Sequence, residues 1–150
     1  MQQHHASRRC NRGFTLVELL CAVSVAGFLS SLAYPTFQGA IHKARRSDAL
    51  VALMQLSAAQ ERFRSGNPAY AGLAEIGVPA LSPSRHYALS VRAASDSGYE
   101  ALATASGSQA ADTRCRVLKL VVDGANQTQA SGADANTDNP AEVNQKCWNL

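Results

Sequence analysis

From Phe14 to Phe37 the sequence FTLVELLCAVSVAGFLSSLAYPTF carries one charge, Glu18. About 24 residues at 1.5 Å each make about 36 Å of helix, enough to cross a hydrocarbon core of about 30 Å. A cleaved secretory signal is one reading, with Ser31-Leu32-Ala33 as a small-residue cleavage site. The apolar run exceeds the usual length of about 7 to 15 residues for such a signal, and an acid near its start weakens it. A plain membrane anchor is a second reading. The positive-inside rule leaves its orientation open, because Arg8, Arg9 and Arg12 on one side are matched by Lys43, Arg45 and Arg46 on the other. Glu18 fits neither reading, since an acid at the centre of a membrane helix costs about 2.5 to 3.5 kcal/mol. Its blandest explanation is position: it lies about 6 Å of helix from Phe14, within reach of the headgroups.

The 150 residues are 46% hydrophobic, which suits one globular domain behind an N-terminal segment. The formal net charge of +3 falls to about zero once Arg8, Arg9 and Arg12 are set aside, which argues against a nucleic-acid binder driven by bulk charge. Four cysteines divide by position. Cys10 is among the leading cations and Cys21 is in the apolar run, read as a small buried apolar side chain. Cys115 and Cys147 share the polar C-terminal half. None of His4, His5, His42 or His86 has finger-like spacing to them, so a disulfide in an exported domain is favoured over two unpaired thiols. Closing a loop of about 33 residues stabilises by roughly 3.5 kcal/mol in the chain-entropy model.

Beyond the run, Tyr34-Pro35 and Gly39 are expected to mark a bend. Helical spacing resumes with Ala49, Leu53, Leu56 and Phe63 on one face, Ala52 and Ala59 beside them, and Ser65-Gly66-Asn67-Pro68 as the stop. Residues 68–85 read as an irregular connection with a helical turn at 73–76. YALSVRA, from Tyr87, alternates as a strand; SDSG turns into YEALATA, its hairpin partner; RVLKLVV, 116–122, is a third strand stopping at Asp123-Gly124. The polar stretch from Ala125 to Gln145 is expected as a loop that Cys147 returns to Cys115. The fold class is α+β: a long helix, hydrophobic in its first half and amphipathic in its second, packed on an antiparallel sheet of three or four strands, with a C-terminal disulfide loop.

RGFTLVELL, Arg12 to Leu20, resembles the processing site of type IV prepilins and related pseudopilins. The resemblance implies cleavage by a prepilin peptidase between Gly13 and Phe14, N-methylation of Phe14, and pairing of Glu18 with the new amine of a neighbouring subunit. That pairing would neutralise two charges in an apolar filament core. The second half is similar to PilE-type minor pilins through Gln60-Glu61-Arg62-Phe63, Tyr87 and Tyr99, Gln109 with Asp112 before Cys115, Leu118-Lys119-Leu120, and Cys147-Trp148. Implied domains are a leader at 1–13, a transmembrane or filament-core half-helix at 14–40, and a globular pilin domain at 41–150.

The implied function is a structural minor subunit of a type IV pilus, incorporated into the filament or its tip complex, supporting pilus biogenesis, twitching motility or adhesion. Its implied partners are other pilin subunits, the prepilin peptidase, an inner-membrane assembly platform, and membrane lipid before assembly. Its implied location is the inner membrane of a Gram-negative cell and then the surface pilus. A type II secretion pseudopilin and a DNA-binding pilin of a competence pilus are the alternatives; nucleic acid is not the favoured partner.

No enzyme is expected. The sequence has no G-x-S-x-G, H-E-x-x-H, Walker loop or C-x-x-C, so no catalytic residue, metal or cofactor is assigned. His86 reads as a loop residue, and Asn126-Gln127-Thr128 fits a glycosylation acceptor only as a short pattern. Arg92, Arg114, Arg116 and Lys119 are expected to form at most a solvated basic strip at one end of the sheet.

Overall fold

The computed structural model describes residues 14–150, so Gly13 and the leading cations lie outside the described residues. Helix α1, Leu16–Arg64, runs through Pro35 and Gly39 without interruption, so the expected bend does not divide it. The chain separates into two compact units, Met1–Phe37 and Gln38–Leu150.

In the first unit the described side chains of α1 are exposed, and its length and composition suit a membrane crossing. Cys21, expected to be buried, is exposed, as are its neighbours along the helix. The hydroxyls of Ser24 and Ser30 donate to the carbonyls of Leu20 and Ala26 at 2.8 and 2.7 Å, satisfying themselves within the helix as an apolar surround demands.

In the second unit, strands β1 (Tyr87–Arg92), β2 (Gly98–Ala105), β3 (Val117–Asp123) and β4 (Asn126–Gly132) form an antiparallel sheet in the order β1-β2-β3-β4. Pairings of Leu89 with Ala103, and of Ala103 with Leu118, set one apolar face. That face and Ala49, Ala52, Leu53 and Leu56 of α1 form the core. Ala101 and Ala103 keep the centre of the sheet thin, which lets leucines on β3 and α1 fill the space between them. Gly98 is required where β2 starts, because a Cβ there would meet the Val122 carbonyl oxygen at 2.1 Å.

The stretch expected to be a loop after Asp123 holds β4 and a short helix α2, Ala141–Cys147. Gly124, at φ +57°, turns the chain so that Asp123 pairs Asn126 and β4 runs back along β3. Asn-Gln-Thr-Gln has no apolar alternation because this edge strand is held through its backbone and leaves those side chains largely in solvent. Two 3-10 turns, Gly107–Ala111 and Thr113–Cys115, join β2 to β3.

Candidate functional site

At the start of α1, the Thr15 hydroxyl accepts the Glu18 backbone N–H at 3.3 Å, and the Thr15 carbonyl accepts from Leu19 N at 3.2 Å. Thr15 is therefore the N-cap and Glu18 the third helical residue, the spacing of a capping box. Sequence reasoning missed this second role of Glu18, although Thr-x-x-Glu is its signal. Phe14 and Glu18 are both exposed at this terminus, where a carboxylate complements the helix dipole.

In the second unit α1 sends polar side chains into the loops it carries. Asp48 accepts from the Ser82 hydroxyl at 2.5 Å, Ser84 N at 2.9 Å and His86 N at 3.3 Å, which shapes the turn containing Arg85 at φ +60°. Burial alone would raise the Asp48 pKa, but these hydrogen bonds to the ionised form outweigh it, and the value lies below the ordinary 3.8. Gln60, fully buried, clamps Ala71 through both its carbonyl and its N–H, at 2.5 and 3.1 Å.

A buried hub forms around Gln109. Its carbonyl lies 3.1 Å from His42 Nδ1, and its amide nitrogen is 3.0 Å from the Tyr87 hydroxyl and 3.3 Å from Asp112 Oδ2. Arg46 closes on both Asp112 oxygens and donates to the Lys146 carbonyl at 2.9 Å. Burial pushes the Tyr87 phenol up to about 12, although its hydrogen bond with Gln109 works the other way. Gln109 and Asp112 thus join α1, β1 and the 3-10 turns.

Cys115 and Cys147 are bonded, with their Cα atoms 5.4 Å apart. Around the bond, Trp148 Nε1 donates to the Ala130 carbonyl at 2.9 Å and Asn144 Nδ2 to the Gln129 carbonyl at 2.7 Å, fastening the C-terminus to β4.

Lys119 does not join a basic strip. It is 3% exposed on the outer sheet face, where it pairs with Asp138 and donates to the Thr137 carbonyl at 3.1 Å, pinning segment 133–139 over the sheet. Arg92 ends β1 at the opposite end of the sheet from Arg114 and Arg116, so the four cations do not share one surface. Gly132 allows this covering, since a Cβ there would strike the Thr137 carbonyl.

Among the described residues no group of three or more His, Cys, Asp or Glu could hold a metal ion. In the second unit the arrangement fixes surfaces: loops clamped by Asp48 and Gln60 of α1, and a C-terminus stapled to the sheet.

Residues 8–34 match the prokaryotic N-terminal methylation motif, and residues 35–119 match a family described as type IV minor pilin ComP, DNA uptake sequence receptor. The chain is 40% identical over 68 residues to type IV major pilin protein PilA of Myxococcus xanthus, covering 45% of this chain and 31% of that protein. It is 32% identical over 85 residues to type II secretion system core protein G of Klebsiella michiganensis, covering 53% of this chain and 60% of that protein. The match thus spans less than two thirds of either relative.

Proposed function

Because the chain belongs to the type IV minor pilin family, whose model covers more than half of it at residues 35–119, we propose that it is a non-enzymatic subunit of a type IV pilus. It is made as a prepilin, cut by a prepilin peptidase between Gly13 and Phe14, methylated at Phe14 and assembled into the filament or its tip complex with other pilins. The inner membrane of a Gram-negative cell holds it first, and an assembly platform there extracts it.

One observation carries this reading: the methylation motif at 8–34 and the family domain at 35–119 abut on the single helix α1. Glu18 has two tasks in it. Its place in the cap favours a defined helix start, and its carboxylate meets the Phe14 amine of a neighbour, a pair that lowers the cost of either charge in an apolar core.

Mass spectrometry of the mature chain tests the processing: methyl-Phe14 is expected, and an intact Met1 or a start at Tyr34 would overturn it. Glu18→Ala is expected to be inserted and cut normally but to enter filaments poorly; normal incorporation removes the pairing argument.

A second reading, receptor for DNA, is favoured by the match at residues 35–119 to a family described as a DNA uptake sequence receptor. Duplex binding by the full chain, measured at low and raised salt, is the test; salt-sensitive affinity supports a receptor and its absence leaves the structural subunit alone. Resemblance to secretion protein G keeps a pseudopilin role as the outcome expected if the chain co-purifies with a secretion apparatus rather than pili.

A further inference from the structure

Several cations of the second unit gather at one of its ends, although Arg64 and Arg92 lie at the other. Lys43 and Arg45 of α1, Arg85 before β1, Arg114 beside the disulfide and Lys146 of α2 converge where α1 enters the unit. Their neighbours are tied together: Arg45 donates to Ser108 Oγ at 2.8 Å, the Ser106 hydroxyl to the Arg85 carbonyl at 3.2 Å, and Arg46 to the Lys146 carbonyl at 2.9 Å. The bonded Cys115 and Cys147 adjoin Arg114 and Lys146 in sequence. Lys43, Arg85, Arg114 and Lys146 are exposed.

Two acids at this end are engaged, while exposed Glu142 of α2 stands one helical turn from Lys146 and offsets part of the charge. Asp48 is turned onto Ser82, Ser84 and His86, and Asp112 is occupied by Arg46. The opposite end carries exposed Asp96 and Asp123 beside Arg64 and Arg92. A cleft of about 360 Å³ opens among Arg46, Asp112, Thr113, Arg114, Val143 and Lys146, its one carboxylate held by Arg46, with room for a phosphodiester headgroup.

We propose that this basic end is a docking surface for anionic phospholipid headgroups, used while the apolar helix holds the chain in a membrane. The proposal rests on the membrane-anchored reading given above. Lys43 lies about 7.5 Å of helix past Gln38, where the second unit begins. Headgroups add about 5 to 7 Å beyond the hydrocarbon on each side, and the Debye length is about 8 Å at physiological salt. Each cation held within that layer strengthens attachment about fivefold on an anionic surface. Nucleic acid is the competing partner for the same charge, but it must arrive from solution, whereas an anchored chain carries the headgroups beside it.

The chain's three lysines supply the readout. Full-length protein is placed in nanodiscs of phosphatidylcholine alone or with phosphatidylglycerol, its insertion is checked by alkaline extraction, and amine acylation is followed by mass spectrometry. Lys43 and Lys146 should react about fivefold or more slowly on the anionic discs, raised salt should restore their reactivity, and buried Lys119 should stay slow in both. An Arg85→Gln/Arg114→Gln double variant, which removes two exposed guanidinium groups, should lose most of the protection. Equal acylation on both lipids by an inserted chain overturns the proposal while leaving the anchored reading intact. Protection by duplex DNA on neutral discs, without any from anionic lipid, assigns the surface to nucleic acid and also overturns it. A chain that fails to insert brings down both.

Discussion

Arg46 Nε and Nη2 lie 2.7 and 3.0 Å from the two carboxylate oxygens of Asp112, a two-point fork across 66 positions of sequence. The pair is 13% and 9% exposed, so its geometry is held in a largely dry setting. With the remaining guanidinium nitrogen on the Lys146 carbonyl, one side chain of α1 fixes both the 3-10 turns and the helix that carries Cys147. A planar fork is needed for this, and lysine cannot reproduce it. Arg46→Lys should therefore cost about 2 kcal/mol, and Arg46→Met, which strands Asp112, about 3 kcal/mol or more. Urea unfolding of the detergent-solubilised chain measures both; equal midpoints for Arg46→Lys and the parent would refute the fork.

The C-terminal staple makes a separate prediction. Replacing Cys115 and Cys147 together with alanine should lower stability by roughly 3.5 kcal/mol in the chain-entropy account. The sheet should survive, because most of its core comes from α1 and from β1 to β3, while proteolysis should open first within 133–147. Intact resistance there would mean that Trp148 and Asn144 alone hold the terminus.

For Asp48, the sign follows from a folded pKa below its ordinary value. Its stabilising contribution is complete above about pH 3.9 and is lost as pH falls through the folded value, because the unfolded chain takes up the proton first. Asp48→Asn should cost about 1 to 2 kcal/mol at neutral pH and flatten that part of the acid limb. Unfolding midpoints between pH 2 and 6 decide it; an unchanged slope sinks the claim.

Tyr87 behaves in the opposite direction. Its phenol is raised to about 12, so the proton is held more tightly in the folded chain. The contribution is present below pH 10 and fades between about 10 and 12 as the unfolded chain ionises first. Burial also raises Tyr70 and Tyr99, so phenolate absorbance should show several late tyrosines, of which the component near pH 12 is absent in Tyr87→Phe. Early titration of every tyrosine would contradict its burial.

Lys119→Met should leave the sheet intact and release segment 133–139, since both the Asp138 pair and the Thr137 hydrogen bond disappear. Limited proteolysis of that segment should speed about tenfold, corresponding to a lost charge-assisted hydrogen bond of about 1.5 kcal/mol. An unchanged rate would show that Asp134, which accepts from Asn136 N, Thr137 N and the Thr137 hydroxyl, shapes the segment unaided.

Much of the frame was legible because it depends on periodicity. Ala49, Leu53 and Leu56 repeat at helical spacing, and Tyr87 and Leu89 alternate, so the faces that bury them were readable before any contact was known. The cysteine pair was legible from position. β4 was not, because a strand held by its backbone at a sheet edge needs no apolar pattern. Lys119 misled for a related reason: in RVLKLVV it alternates onto the outer face, and whether that face meets water depends on what folds over it.

The residues alone determined the long helix, its change from an apolar to a two-faced half, and the order of strands up to Asp123. These follow from local spacing and from the cost of burying charge. Tertiary structure decided which polar groups are spent and which are free. Asp48, Gln109 and Asp112 look alike in sequence as soluble polar residues, yet each is consumed by partners dozens of positions away. A charge acts on the outside only where nothing inside has already neutralised it, and that is settled by proximity in space.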